Sequence, residues 1–159
     1  MQALVEAALA APSAMNLQPW QLIVITNKAL IDALDDEAMS IIAKEEDQSR
    51  YNRIMERGGK IFYNAPCMFI VLKEESSKWG DMDAGIMTQN IALAATSLGL
   101  DNVICAMAQI PFMGDNAKEY KEQLKWPKGY DFGMAVLIGR GNATKPPHEL
   151  DMSKVIKIT

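Results

Sequence analysis

Between Ala84 and Leu100 the chain carries no charged side chain, and apolar residues fall on every face of the helix this stretch encodes. Asp81 or Asp83 stands ahead of it as a cap, and Gly99 follows in the usual closing position. A helix that is apolar all round has to be buried all round. A chain of 159 residues can hardly wrap such a helix alone. The arrangement this predicts sets one face on a sheet and another on a partner subunit. The small residues Gly85, Ala92, Ala94 and Ala95 let backbones approach there. The other solution is a central helix inside a monomer.

Around this helix the pattern alternates between helix and strand periods. Residues 2–11 are strong helix formers stopped before Pro12. Gln21 to Thr26 reads as a buried strand, Lys28 to Lys44 as a helix with a solvated acidic face, and residues 45–60 as a charged, irregular connection. Further strands are predicted over Cys67–Leu72, Asn102–Ala108 and Phe132–Gly139, with a surface helix from Asn116 to Lys125. A Gly/Pro-rich segment, Gly139 to Pro147, leads to a short tail containing Val155 to Ile158. No repeat or linker interrupts the order, which describes one α+β layered domain over residues 1–159.

Composition narrows the function classes. With 49% apolar and 23% charged residues the chain has the balance of a folded soluble protein. A formal charge of −4 argues against a protein that tracks nucleic-acid phosphates. No run is long and clean enough to span a bilayer, and no charged-then-apolar leader opens the chain, so a cytoplasmic protein is expected. Two cysteines, Cys67 and Cys105, each lie in an apolar run, and one histidine, His148, sits in a Pro-rich tail. Neither a metal site nor a nucleophile–base pair can be assembled from these.

Two phosphate-loop readings also fail. The run Gly139-Arg140-Gly141-Asn142-Ala143-Thr144-Lys145 has no glycine before its lysine, and Pro146-Pro147 forbids the helix a Walker loop must open. No G-x-G-x-x-G follows any strand. Lys145 could still meet a phosphate as a point charge. The loop from Pro12 to Trp20 is more informative. Ser13, Asn16 and Gln18 offer directional hydrogen bonds in a turn, and Trp20 enters a strand directly afterwards. Such a loop suits the edge of a flat polar heterocycle, or equally a structural turn whose side chains cap its own backbone.

Ala11-Pro12-Ser13-Ala14-Met15-Asn16-Leu17-Gln18-Pro19-Trp20 closely resembles the A-P-S-x-x-N-x-Q-P-W signature of the nitroreductase family. Asp83-Ala84-Gly85, Gln89-Asn90 and Ala94 to Leu100 resemble its long dimer-core helix. Ala65-Pro66 before a strand, and Ala135 to Gly139 followed by Lys145-Pro146, resemble its later strands and phosphate-side loop. The resemblance implies an α+β fold with a central, mostly antiparallel sheet flanked by helices, and a homodimer holding FMN at its interface. It further implies NAD(P)H as co-substrate and a nitroaromatic, quinone or similar electron-poor acceptor. Pro12, Ser13, Ala14 and Asn16 match positions that reach the flavin from the partner subunit. The backbone around Met107 and Ala108 matches the stretch under its reactive edge, and Lys145 a basic residue near its phosphate. No side chain need act as a catalytic acid or base.

The resemblance also implies an Arg-rich arm ahead of the first helix, and this sequence holds no such run. Two lost phosphate contacts at about 1.5–3 kcal/mol each predict FMN binding weaker by about two to four orders of magnitude. Arg140 and Lys145 are the basic residues placed to compensate. A flavin-binding relative with little turnover, or an FMN enzyme of other chemistry such as reductive dehalogenation, is the alternative function.

Overall fold

The computed structural model describes residues 1–143 and 146–158. Its centre is the strand β2 (Cys67–Glu74), whose first six residues, Cys67 to Leu72, form an uninterrupted apolar run and are all buried. Successive side chains of a strand point to opposite faces, so a run apolar at every position demands cover on both. It is flanked by β1 (Trp20–Ile25) on one side and β4 (Tyr130–Gly139) on the other, with β3 (Asp101–Ile104) beyond β4. All three pairings are antiparallel.

The two faces are covered by different helices. Phe69, Val71, Val136 and Ile138 pack under α1 (Gln2–Leu9) and α4 (Gly80–Ser97), meeting Leu4, Ala8, Met87, Ile91 and Ala95. Met68, Ile70, Leu72, Ala135 and Leu137 face the opposite layer of α2 (Lys28–Ile42), α3 (Ser49–Met55) and α5 (Ala117–Gln123). Each fully buried Ile, Leu or Phe contributes about 1.5–3 kcal/mol relative to exposure. The molecule is thus a helix–sheet–helix sandwich, the α+β architecture expected of the sequence.

Several elements differ from that expectation. The third strand stops at Ile104, and the chain turns into a 3₁₀ segment over Ala106–Phe112 instead of running to Ala108. The reason is burial: Ala108, Ile110, Pro111 and Phe112 turn inward to fill the α2 side of the sheet, which a continued edge strand could not do. Residues 45–60 are not irregular throughout, because α3 forms within them. The Asp47 carboxylate accepts the backbone N–H of Ser49 at 2.9 Å, and Ile54 anchors the helix in the core. Asp83 lies inside the first turn of α4 and does not cap it; Asn27, by contrast, does cap α2 through the N–H of Leu30. The tail segment 155–158 is exposed and joins no strand.

α4 lies tight against the sheet over Gly133. The register between β2 and β4 slips there, pairing Val71 with Met134 and Leu72 with Phe132, so Gly133 is the extra residue of a bulge. A Cβ on Gly133 would stand 2.8 Å from the Cβ of Ala84 and 2.9 Å from the carbonyl oxygen of Val71. Gly133→Val is expected to force α4 off the sheet and destabilise the fold by about 1–3 kcal/mol, read as a lower urea midpoint at unchanged slope.

On the other face, the buried Asp35 of α2 ties down the segment that leads into β2. Its Oδ1 accepts the N–H of Ile61 at 2.9 Å, while its Oδ2 has no partner among the described residues. Burial pushes its carboxyl above the ordinary range, against the opposing pull of the Ile61 and Phe62 amides and of Lys60. A carboxyl raised in the folded state favours folding most fully below its unfolded value of about 3.9, and that contribution fades as pH rises through the folded value. Asp35→Asn keeps an acceptor for Ile61. It is therefore expected to gain stability relative to the natural protein as pH is raised from about 4 to 7, measured by urea unfolding at both ends.

Candidate functional site

The loop between α1 and β1 is held at both ends. At one end Ala11 is buried beside α1; at the other Trp20 is buried in the α1–α4 layer and Pro19 receives the N–H of Glu74 on its carbonyl at 2.8 Å. Between them Ala14–Asn16 make a single 3₁₀ turn. Met15, Asn16 and Gln18 adopt φ of 52°, 56° and 51°. Three non-glycine residues in the left-handed region within four positions is a strained arrangement, of a kind that concentrates where a backbone must present itself to a ligand.

Local hydrogen bonds sustain it. The Ser13 hydroxyl accepts the N–H of Gln18 at 2.9 Å, and the Asn16 side-chain oxygen accepts from the Gln18 amide at 3.2 Å. These bonds belong to a structural turn, and they leave the Ser13 hydroxyl proton and the Asn16 amide N–H free to donate outward. The surroundings are open and apolar: Met15 is 80% exposed, and Pro12 and Leu17 are exposed as well.

Sequence reasoning missed the residue that fixes this loop to the scaffold. Asp83, buried in the first turn of α4, accepts the backbone N–H of Ala14 on Oδ1 at 3.0 Å. Its Oδ2 is buried and has no partner among the described residues. A carboxylate held half-satisfied inside a protein is costly, so one that persists is doing a positional job for the loop it grips. The signal was present in the sequence, since Asp83 opens the uncharged helix, but it pointed to a helix cap instead.

The second group of predicted residues lies elsewhere. Ala108 is buried in the layer formed by α2, α3 and α5, with its N–H bonded to the carbonyl of Cys105 at 3.3 Å, while Met107 is half-buried at the edge of that layer. The Pro12–Asn16 loop belongs to the opposite layer. One chain therefore does not bring the two groups together; the sheet stands between them. Arg140 is exposed at the end of β4, next to Gly141, whose N–H is bonded to Asp101 at 2.8 Å. Lys145 lies outside the described residues.

Beside Met107 the structure opens a hollow of about 460 Å³ lined by Arg50, Arg53, Ile54, Glu56 and Arg57 of the α3 segment. The sequence signal for it is the spacing of the arginines at i, i+3 and i+7, which places them on one side of a helix. The thiols offer no nucleophile, because burial pushes both Cys67 and Cys105 up from their ordinary values and keeps them protonated. Among the described residues no three His, Cys, Asp or Glu side chains are grouped to hold a metal ion, and no helix is long and apolar enough to cross a membrane. What the arrangement offers is a polar, strained loop on one face of the sheet and an apolar backbone stretch on the other.

Similarity to known proteins fits this geometry. A family model described as the nitroreductase family matches residues 1–140. A nitroreductase from Desulfitobacterium hafniense DCB-2, solved with bound FMN, is 47% identical with a TM-score of 0.94, over 99% of this chain and 85% of that one. An FMN-dependent nitroreductase from Clostridium difficile R20291 is 26% identical with a TM-score of 0.78, over 99% and 86% of the two chains. Protein DrgA of Synechocystis sp. is 24% identical across 97% of this chain and 82% of its own length. With the family model covering most of its length and its layered sheet superposing on an FMN-bound relative, this chain belongs to the nitroreductase family.

Proposed function

We propose that this protein is an FMN-dependent oxidoreductase that takes hydride equivalents from NAD(P)H and passes them to nitroaromatic, quinone or similar electron-poor acceptors, working as a cytoplasmic homodimer. The observation that carries the reading is the 47% identity, over nearly the whole chain, to a nitroreductase solved with FMN. When bound, FMN supplies the hydride chemistry, and the protein's part is to bind, orient and shield.

The residues present fit such a group. Asp83 and the Ser13–Gln18 bonds hold the loop so that Ser13 and Asn16 keep donors free at an exposed edge, as a flavin rim requires. Pro12 and Ala14 supply close backbone approach beside them. Met107 and Ala108 offer backbone from the other layer, with Ala108 unable to contribute its buried side chain. Lys145 and Arg140 are the basic residues assigned to the phosphate side.

Two observations support a homodimer built from residues 1–159 as one unit. The predicted site residues lie on opposite faces of one chain's sheet, so a single cofactor is met by both groups only if a second copy supplies one of them. The uncharged helix also leaves an apolar face uncovered within one chain, with Met82 and Leu93 each 60% exposed. Apolar side chains of the tail are left bare too, Ile156 at 88% and Ile158 at 95%. Large apolar side chains left bare in this number suit an interaction face.

Added FMN is expected to bind and shift its visible spectrum, and NADH or NADPH to bleach the bound flavin without air, with colour returning on addition of a quinone. Asn16→Ala is expected to weaken FMN binding by about 1–3 kcal/mol, while moving the melting temperature of the flavin-free protein little. Flavin that binds yet resists both nicotinamides would refute turnover. An unchanged affinity in Asn16→Ala would reduce the loop to a turn.

For the assembly, light scattering at micromolar concentration is expected to give twice the chain mass. Leu93→Arg should shift this towards the monomer, because the exposed Leu93 of one chain would become a charge buried without a partner in two. A wild-type monomer would overturn the dimer.

A further inference from the structure

Three of the four arginines in the chain, Arg50, Arg53 and Arg57, fall within eight consecutive residues of an otherwise acidic protein. All three line the hollow of about 460 Å³ beside Met107, together with Ile54 and Glu56. Gathering three guanidinium groups around one cavity costs repulsion, and the neighbouring carboxylates relieve it only in part. Arg50 pairs with Glu45 at 3.2 Å. Neither Arg53 nor Arg57 has a carboxylate within 4 Å among the described residues.

These two side chains are nonetheless steered. The Nε of Arg53 donates to the carbonyl of Ser49 at 3.3 Å, and the Nε of Arg57 donates to the carbonyl of Arg53 at 3.1 Å. A terminal nitrogen of Arg57 also donates to the Tyr63 hydroxyl at 3.4 Å. Each guanidinium is thus tethered at one edge, with further N–H groups left to donate. A tethered fork of this sort matches a carboxylate or phosphate in a bidentate way, which a lysine could not do. Ile54 and Met107 give the same hollow an apolar wall for the body of a small ring.

We propose that this hollow recognises an anionic substituent, carboxylate or phosphate, on a small ring-bearing molecule brought to the flavin, so that the protein selects reaction partners that carry this substituent over matched ones that lack it. This rests on the FMN-dependent reading above, through the place of Met107 at the flavin edge. The anion has two sources, the carboxylate of an acceptor or the extra phosphate that distinguishes NADPH from NADH.

The test uses the FMN-loaded protein with two matched pairs, 4-nitrobenzoate against 4-nitrobenzamide as acceptors and NADPH against NADH as donors. The natural protein is expected to favour, in kcat/KM, the member of one pair that carries the extra anionic group, 4-nitrobenzoate or NADPH. The double variant Arg53→Gln/Arg57→Gln should lower that preference about tenfold or more, the scale of one charge-assisted hydrogen bond. Lys118→Gln/Lys121→Gln removes the same charge from the surface of α5 and should keep the natural preference. Loss in the acceptor pair assigns the anion to the acceptor, and loss in the donor pair to the nucleotide; either supports the site. Preference that is absent in the natural protein, or unchanged in the arginine variant, overturns it. Calorimetric titration of all four probes reads the same contrast without turnover. If no acceptor is reduced at all, the oxidoreductase reading fails while the titration still decides the anion site.

Discussion

The contact between α4 and the sheet at Gly133 governs most of what surrounds it. The helix has no charged side chain beyond its first turn, so apart from single hydrogen bonds such as Asn90 to Ala7 and Asn102 to Ala92 it is held by packing, which falls away quickly with distance. The missing Cβ lets Ala84 sit almost on the backbone of β2 and β4. That approach buries Met87, Ile91 and Ala95 against Phe69, Val71, Val136 and Ile138. It also sets the first turn of the helix at the one height where Asp83 can reach the N–H of Ala14. The loop that carries Ser13 and Asn16 therefore takes its position from a glycine on the far strand.

The same loop shows how a strained backbone is kept. Left-handed φ values at Met15, Asn16 and Gln18 are unfavourable singly, and the cost is offset by bonds that close the turn on itself and by a buried carboxylate that grips it from α4. Trp20 and the bond from Glu74 to Pro19 pin the exit of the loop to β2. Asp35 plays a parallel part on the other face, holding the segment that leads into β2 from α2. Both carboxylates leave one oxygen unpartnered in the interior.

Charge is distributed with similar economy. Acidic residues are spread over helix faces, loops and strand ends, and ion pairs such as Lys28–Asp32, Lys118–Glu122 and Lys154–Asp151 are exposed local contacts of small worth. The arginines are the exception, collected along α3 where it meets Met107. A guanidinium group binds planar anions through geometry as much as through charge, so placing three in one short segment concentrates recognition at one edge of the layer.

Much of the fold was legible along the chain because its cause is local. The uncharged run from Ala84, the doubly apolar strand at Cys67–Leu72, and the Pro12–Trp20 motif each declare their structure through period and residue type. The end of β3 at Ile104 and the short helix α3 were not legible, since Ile110, Phe112 and Ile54 turn inward for contacts with distant residues that outweigh local pattern. Asp83 was read as a cap for the same reason: its true partner is Ala14, far away in sequence. What the sequence determined by itself was where most helices and strands lie, and that the segment from Pro12 to Trp20 is a turn rich in hydrogen-bonding side chains. Only the tertiary structure decided that the loop and the Met107–Ala108 stretch lie on opposite faces of the sheet, and that three arginines share one hollow. Faces and cavities are created by packing between segments distant in sequence, and no local pattern encodes them.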